Sequence, residues 1–218
     1  MVNITVIGTG YVGAVSGACL ADFGNHVVCV DSNAEKIESL KEGRVPFFEP
    51  GLDAVIGRNI RSGRLFFTTD LAFALEKSEV VFIAVGTPQA EDGGVDLSQF
   101  EAAARQTGSL VSRYTVIVDK STVPAGTSRK VRRWIAEELE KRGRNIEFEV
   151  VSNPEFLREG TAVYDFTHPD RIVIGTDSKQ ARRVLKKVYR PLYLNETPFV
   201  ETNPETAEMI KYASNAFL

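Results

Sequence analysis

The sequence predicts an α/β fold, a doubly wound parallel sheet with helices on both faces. Short apolar runs rich in β-branched residues alternate with helical patterns along most of the 218 residues. The runs are almost continuously apolar, which is typical of parallel strands buried on both faces. Closely spaced glycines, Gly8, Gly10 and Gly13, follow the first run, and the acidic Asp31 follows the second.

Six apolar runs are predicted as the strands of the main sheet: residues 4–7, 27–30, 65–67, 80–85, 116–118 and 148–151. The predicted helices between and after them are residues 14–23, 34–41, 52–61, 71–77, 97–111 and 126–142. Six strands make a complete doubly wound sheet. Two extra strands toward the C-terminus are predicted at residues 172–174 and 199–200, with a basic helix at 179–189 between them.

Polar residues and glycines mark several helix ends. Asp70 and Asp96 are predicted as N-caps, and Gly143 as a C-terminal stop. Asn203 followed by Pro204 predicts the start of a last helix. That helix runs to Ala-Phe-Leu at the end of the sequence without a stop signal, so we expect the chain to be the N-terminal piece of a longer protein. The alternative is an apolar helix end that packs on its own domain.

The glycine cluster predicts a dinucleotide-binding turn. Gly8 permits a tight turn, Gly10 lets the backbone approach a pyrophosphate, and Gly13 lets the following helix lie close to the sheet. The helix N-terminus favours the phosphate charges. Asp31 is expected to accept hydrogen bonds from a ribose and to repel a 2′-phosphate, which favours NAD over NADP. The alternative is a glycine turn that binds nothing.

Composition excludes several classes of function. The hydrophobic share of 43% and the charged share of 25% are ordinary for a globular protein, and a net charge of −3 argues against a general nucleic-acid binder. No apolar stretch reaches the ~18 residues needed to span a membrane. Cys19 and Cys29 are interpreted as reduced core thiols of a cytoplasmic protein, without metal-ligand spacing. Basic clusters at 129–133 and 182–187 are interpreted as solvated helix faces.

Three polar loops follow predicted strands, at residues 85–96, 119–127 and 152–162. Because ligands bind at the carboxyl ends of parallel strands, we expect an active site where these loops meet. Glu155 and Glu159 would share one side if their segment were helical. Lys211 and Asn215 have the same spacing and the chemistry to hold an oxyanion, although spacing alone favours a solvated helix face.

Several segments together resemble the nucleotide-sugar dehydrogenases of the UDP-glucose/GDP-mannose dehydrogenase family. They are residues 8–13 (GTGYVG), 85–88 (VGTP), 120–126 (KSTVPAG), 153–160 (NPEFLREG), 168–175 (HPDRIVIG) and 208–217 (EMIKYASNAF). The resemblance covers essentially the whole chain, and residues 153–160 are far more specific than the glycine motif. Within the family, residues 159–166 favour UDP-glucose over UDP-N-acetylhexosamine or GDP-mannose as the substrate.

The resemblance implies a two-step oxidation of a sugar alcohol to an acid with two NAD, through a covalent adduct on an enzyme thiolate. Together with the glycine motif it assigns NAD contacts to Gly8, Gly10, Tyr11, Val12, Gly13, Asp31, Lys36, Thr87, Thr122 and Glu159. It assigns the sugar pocket to Glu155, Phe156, Leu157, Arg158, Glu159, Lys211 and Asn215. The implied catalytic roles are thioester hydrolysis for Glu155, water binding for Thr122 and oxyanion binding for Lys211 and Asn215.

The chain departs from this family in two respects: we expect it to lack both the nucleophilic cysteine and the C-terminal domain that holds much of the nucleotide in the family. The nucleophilic cysteine of the family follows the lysine–asparagine helix in a glycine-rich segment, and no cysteine follows Asn215 here. We therefore expect an NAD-binding domain at 1–202 and the first turns of a central dimerisation helix at 203–218, inactive alone but part of a homodimeric enzyme. The alternatives are a stand-alone NAD-binding regulatory module and a β-hydroxyacid dehydrogenase, the latter leaving residues 153–160 unexplained.

Overall fold

An eight-stranded sheet forms the centre of the computed structural model, which describes residues 1–217. Leu218, the last residue of the predicted C-terminal helix, lies outside the described residues. The strands are β1 (Asn3–Ile7), β2 (His26–Val30), β3 (Leu65–Thr68), β4 (Val80–Ile83), β5 (Thr115–Asp119), β6 (Phe148–Ser152), β7 (Ile172–Gly175) and β8 (Phe199–Thr202). All eight predicted strands are therefore present, within a few residues of the expected ends.

The first six strands are parallel, in the order β3-β2-β1-β4-β5-β6. Chain order reverses at β1, which lies between β2 and β4: Ile4 pairs with Val27 on one side and with Val80 on the other. A crevice opens at the carboxyl ends of the strands beside such a reversal. The predicted doubly wound fold is confirmed.

The last two strands run in the opposite direction to the first six. β7 joins β6 in antiparallel orientation, through Ser152 and Gly175, and β8 is parallel to β7. The sequence predicted these extra strands but not their direction. The reversal follows from the connection between β6 and β7, which continues beyond the carboxyl end of β6 before the chain turns back.

Helices cover both faces of the sheet. They are α1 (Tyr11–Asp22), α2 (Ala34–Lys41), α3 (Leu52–Arg61), α4 (Leu71–Leu75), α5 (Ser98–Leu110), α6 (Thr127–Lys141), α7 (Ala162–Thr167), α8 (Lys179–Val188), α9 (Arg190–Leu194) and α10 (Pro204–Phe217). The side chain of Asp70 accepts from the Phe73 N–H, and that of Asn203 from the Thr206 N–H, so these two predicted caps are confirmed. Asp96 is not the N-cap of α5, because Leu97 precedes the helix and the Asp96 side chain accepts from the Ser98 N–H instead. The short helices α7 and α9 were not predicted.

Alternate residues of the central strands supply two separate cores. Val6 and Phe82 point into the core beneath α1, α3 and α8, whereas Ile7 and Ile83 point into the core beneath α5 and α6. Successive side chains of a strand point to opposite faces, and because these strands are almost wholly apolar, both faces carry apolar side chains. None of the helices within residues 1–217 is both long enough and apolar enough to cross a membrane.

Cys19 and Cys29 lie in the first of these cores, fully buried and unpaired. Burial raises the pKa of both thiols to about 12. Both side chains are therefore neutral and unreactive at physiological pH, as expected for core positions. In the part of the chain that is described, no cluster of three potential metal ligands is present.

A buried carboxyl group lies at the end of β5. Asp119 is 2% exposed, and neither of its carboxyl oxygens meets a hydrogen-bond donor among residues 1–217. Burial, and secondarily the nearby Glu208 carboxylate, raise the pKa of Asp119 well above its usual value. The folded state therefore binds the carboxyl proton of Asp119 more tightly than the unfolded state does. The protonated carboxyl contributes to the stability of the fold at acidic pH, and this contribution is lost as pH rises through the pKa of the folded state.

We predict that Asp119→Asn stabilises the protein selectively above acidic pH. The amide keeps the shape of the side chain without the cost of a buried charge, so the free energy of unfolding should exceed that of the wild type by about 1 kcal/mol or more at pH 8, with a smaller difference at pH 5. Urea unfolding at both pH values measures this. An identical difference at the two pH values would contradict the assignment.

Candidate functional site

The turn between β1 and α1 leaves space for a ligand in front of a helix N-terminus. Gly8 has a φ of +95°, and a Cβ at this position would lie 2.5 Å from the Ala84 carbonyl oxygen. A Cβ on Gly10, in contrast, would meet no atom of residues 1–217 within 4 Å. Gly10 immediately precedes α1 and carries no capping side chain. The N–H groups of the first helical turn therefore face open space, the usual arrangement for binding a phosphate.

Asp31 lies at the end of β2, beside this turn. Its carboxylate accepts hydrogen bonds from the backbone N–H groups of Thr9 and Asn33, at 2.9 and 3.0 Å, and pairs with Lys36 Nζ at 2.9 Å. Burial alone would raise the pKa of Asp31, but these donors outweigh it and lower the pKa to about 2. Asp31 is therefore an ionised, oriented acceptor, and Lys36 and the glycine turn lie beside it.

The loops after β4 and β5 meet at the same edge of the sheet. The Thr87 hydroxyl donates to the Thr122 carbonyl oxygen at 2.8 Å, and the Ser121 hydroxyl donates to the Val85 carbonyl oxygen at the same distance. Thr87 and Thr122, predicted from two different loops, are thus in direct contact.

The loop after β6 is not helical between Asn153 and Arg158. Glu155 and Glu159 therefore do not share a helix face. Glu155 is partly buried, whereas Glu159 is exposed. Asn153 fixes the start of the loop, because its N–H donates to the Asp119 carbonyl oxygen and its side-chain amide to the Val173 carbonyl oxygen.

Glu155 forms a buried ion pair with a residue of the last helix. Lys211 Nζ lies 2.8 Å from Glu155 Oε1, and the two side chains are only 9% and 10% exposed. The second oxygen of Glu155 accepts from the Leu157 N–H at 2.7 Å. The interpretation of Lys211 as part of a solvated helix face is therefore wrong, because the middle of α10 packs over the loop after β6. Asn215, one turn later, is exposed.

A cavity of about 480 Å³ adjoins this ion pair. Phe156 lies in its wall, with the Arg171 guanidinium 4.7 Å and Lys211 Nζ 5.7 Å from the centre of the ring. Arg171 also donates to the Ser214 hydroxyl at 3.1 Å. Arg158, expected in the pocket, lies in its wall and pairs with Asp165.

Lys120 is a residue of this region that the sequence analysis did not single out. It is 5% exposed, and its Nζ lies 3.2 Å from Asn153 Oδ1 and 3.5 Å from the Tyr189 hydroxyl. Burial lowers the pKa of Lys120 to about 8. The negative charge of Glu155 opposes this shift, whereas the positive charge of Lys211 adds to it. The sequence feature that could have identified Lys120 is its position directly after a buried strand.

We predict that Lys211→Met destabilises the fold by about 3–5 kcal/mol, because it leaves the Glu155 carboxylate buried without its cation. The double variant Lys211→Met with Glu155→Gln should recover most of this loss, since it removes both charges. The free energy of unfolding in urea, measured for both variants, tests the pair. A single variant as stable as the wild type would show that the ion pair is not buried in solution.

Comparison with known proteins gives a consistent family assignment. Residues 2–193 match the model of the UDP-glucose/GDP-mannose dehydrogenase family, NAD binding domain. A UDP-glucose 6-dehydrogenase of Rhizobium meliloti is 56% identical over 99% of this chain and 49% of its own length. The chain spans about half the length of the curated relatives it matches.

Solved structures agree with this assignment. A UDP-glucose dehydrogenase from Pyrobaculum islandicum has a TM-score of 0.93 and 44% identity, over all of this chain and 50% of its own. A GDP-mannose dehydrogenase from Pseudomonas aeruginosa has a TM-score of 0.91 and 39% identity, over 99% of this chain and 49% of its own. With the glycine turn, Asp31 and the Glu155–Lys211 pair in place, the chain belongs to the UDP-glucose/GDP-mannose dehydrogenase family and contains its NAD-binding domain.

Proposed function

We propose that this chain supplies the NAD-binding half of a UDP-glucose 6-dehydrogenase, which oxidises the C6 alcohol of UDP-glucose to a carboxylate with two NAD. The observation that carries the proposal is the buried Glu155–Lys211 pair, 2.8 Å apart beside a cavity at the carboxyl edge of the sheet. UDP-glucose is favoured over GDP-mannose because the relatives named for UDP-glucose are the more similar, at 56% and 44% identity against 39%.

The residues at the β1–α1 turn fit NAD. Open space at Gly10 admits a pyrophosphate to the N–H groups of Tyr11, Val12 and Gly13. The ionised Asp31 would accept hydrogen bonds from ribose hydroxyls and repel a 2′-phosphate. From there the dinucleotide would extend along the strand ends, past Thr87 and Thr122 and toward Glu159. When bound, NAD supplies the acceptor for the hydride that leaves the sugar carbon.

The polar groups around the cavity match the charges that such an oxidation creates. The Lys211 ammonium would hold the sugar oxygen, stabilising negative charge as it develops, and the amide of Asn215 would assist it. Glu155 would accept a proton and later assist hydrolysis, with a water held by Thr122. Phe156, Leu157 and Arg158 would form the wall against which the sugar lies.

The covalent step requires a nucleophile other than the two cysteines of this chain. Cys19 and Cys29 are buried, and their raised pKa values keep them as neutral thiols. We therefore propose that the chain alone binds NAD without turning over substrate. A cysteine outside residues 1–218 would complete the site in the homodimeric enzyme, with residues 203–218 beginning its dimerisation helix. Two unpaired thiols suit a reducing compartment such as the cytoplasm.

We predict that Asp31→Asn weakens NAD binding by about 1–3 kcal/mol, the scale of hydrogen bonds to a charged acceptor. NADP should lose less or gain, because the carboxylate charge that opposes its 2′-phosphate is removed. Since the pKa of Asp31 is about 2, its contribution should stay constant between pH 5 and pH 8.

Titration calorimetry with NAD and NADP measures these affinities, and Asp53→Asn is the matched control, because Asp53 is an exposed aspartate near the start of α3. Equal NAD affinity in the wild type and Asp31→Asn would remove Asp31 from the ribose site. Absence of NAD binding to the wild-type chain would contradict the proposed function itself.

A further inference from the structure

A buried hydrogen-bond network joins the cofactor turn to the loop that carries Glu155. Glu49, in the connection between α2 and α3, is only 7% exposed. Its Oε2 atom accepts from the Tyr11 hydroxyl at 2.5 Å and from the Gly160 N–H at 2.9 Å, and its Oε1 atom accepts from the Val163 N–H at 3.1 Å. One carboxylate therefore binds two segments, the start of α1 and residues 160–163, that are far apart in the sequence from each other and from Glu49.

The three donors to Glu49 within residues 1–217 are all uncharged, so in this part of the chain hydrogen bonds rather than a counter-ion compensate its buried carboxylate. Such a group is costly unless each partner stays in place. Loss of the Tyr11 hydroxyl or displacement of Gly160 would leave carboxylate lone pairs without donors. This requirement ties the position of Tyr11 to the position of the loop.

Tyr11 reinforces the connection through a second contact. Its hydroxyl lies 2.9 Å from the Arg158 carbonyl oxygen as well as close to Glu49, and it accepts from the Gly160 N–H at 3.1 Å. Its ring packs against Phe47, with 5.2 Å between the ring centres. The hydroxyl has one proton for two acceptors, so its orientation depends on the positions of both Glu49 and the Arg158 carbonyl group.

Both ends of the network lie at places where a ligand would act. Tyr11 is the first residue of α1, directly after the open space at Gly10. Gly160 has a φ of +85° and ends the loop that contains Glu155, and α7 begins two residues later. A ligand that fixes the first turn of α1 would thus reduce the freedom of the Tyr11 ring, and through Glu49 that of the loop.

We propose that Glu49 is a positioning residue that couples NAD binding at the β1–α1 turn to the ordering of the loop at residues 153–160. The inference rests on the proposed function, because it takes NAD as the ligand of that turn. It predicts that NAD orders the loop before any sugar is present, so that Glu155 is already in place when the substrate arrives. By linkage, a ligand that orders the loop would tighten NAD binding by the same factor.

Hydrogen exchange of the 218-residue chain, with and without saturating NAD, tests this coupling. In the wild type, NAD should slow exchange of the Gly160 and Val163 amides about fivefold or more, the lower end of typical coupling between sites. Tyr11→Phe removes the hydroxyl and keeps the ring, and Glu49→Gln removes the charge at nearly constant volume. With NAD raised to a concentration that calorimetry shows to saturate each variant, both variants should lose most of this NAD-dependent slowing.

The matched control is Glu42→Gln, which makes the same chemical change at an exposed side chain of the same connection, paired there with Arg44. This variant should show the full effect of NAD. A purely structural role for Glu49 would speed exchange equally with and without NAD and leave the ratio unchanged. An unchanged ratio in Tyr11→Phe and Glu49→Gln, or no slowing in the NAD-bound wild type, would overturn the inference. Failure of NAD to bind at all, seen independently by calorimetry, would instead refute the proposed function.

Discussion

The close approach of α1 to the sheet is the constraint on which the rest of the structure depends. A Cβ on Gly13 would lie 1.9 Å from the Gly8 carbonyl oxygen, and a Cβ on Gly17 would lie 2.3 Å from Cys29 Sγ. Any larger residue at either position would push the helix away from β1 and β2. That displacement would widen the turn, move the helix N-terminus from the crevice and shift Tyr11 away from Glu49.

The topology of the sheet then brings the residues of the candidate site together. The parallel strands place the loops after β4, β5 and β6 at one edge of the sheet. The reversed strands β7 and β8 bring the chain back to this edge, so that α10 packs against these loops. This packing is tight, because a Cβ on Gly175 would lie 2.4 Å from Ala207 Cβ. Glu208, on the same helix, accepts from the N–H groups of Gly126 and Ser128 at the start of α6. With α10 fixed in this way, Lys211, one turn later, meets Glu155.

The sequence predicted those parts of the structure that local physics specifies. Glycine spacing, strand periodicity and the cap at Asp70 each act within a few residues, so the turn, the strands and the helix starts could be predicted. The direction of β7 could not, because an apolar run of four residues is the same in either orientation. The Glu155–Lys211 pair joins residues 56 positions apart, and Glu49 likewise depends on tertiary packing. Strand-end position and residue chemistry drew attention to Glu155 and Lys211 separately, but only the resemblance to a family assigned them to one site. Nothing in the local sequence identified Glu49.

We propose that one edge of the sheet holds both the dinucleotide and the Glu155–Lys211 pair. A crystal structure of the chain with NAD tests it most directly. We expect the pyrophosphate against the first turn of α1, a ribose on Asp31 and the nicotinamide ring at the Thr87–Thr122 contact, pointing toward Glu155. NAD bound at another surface, or a nicotinamide ring directed away from Glu155 and Lys211, would contradict the account.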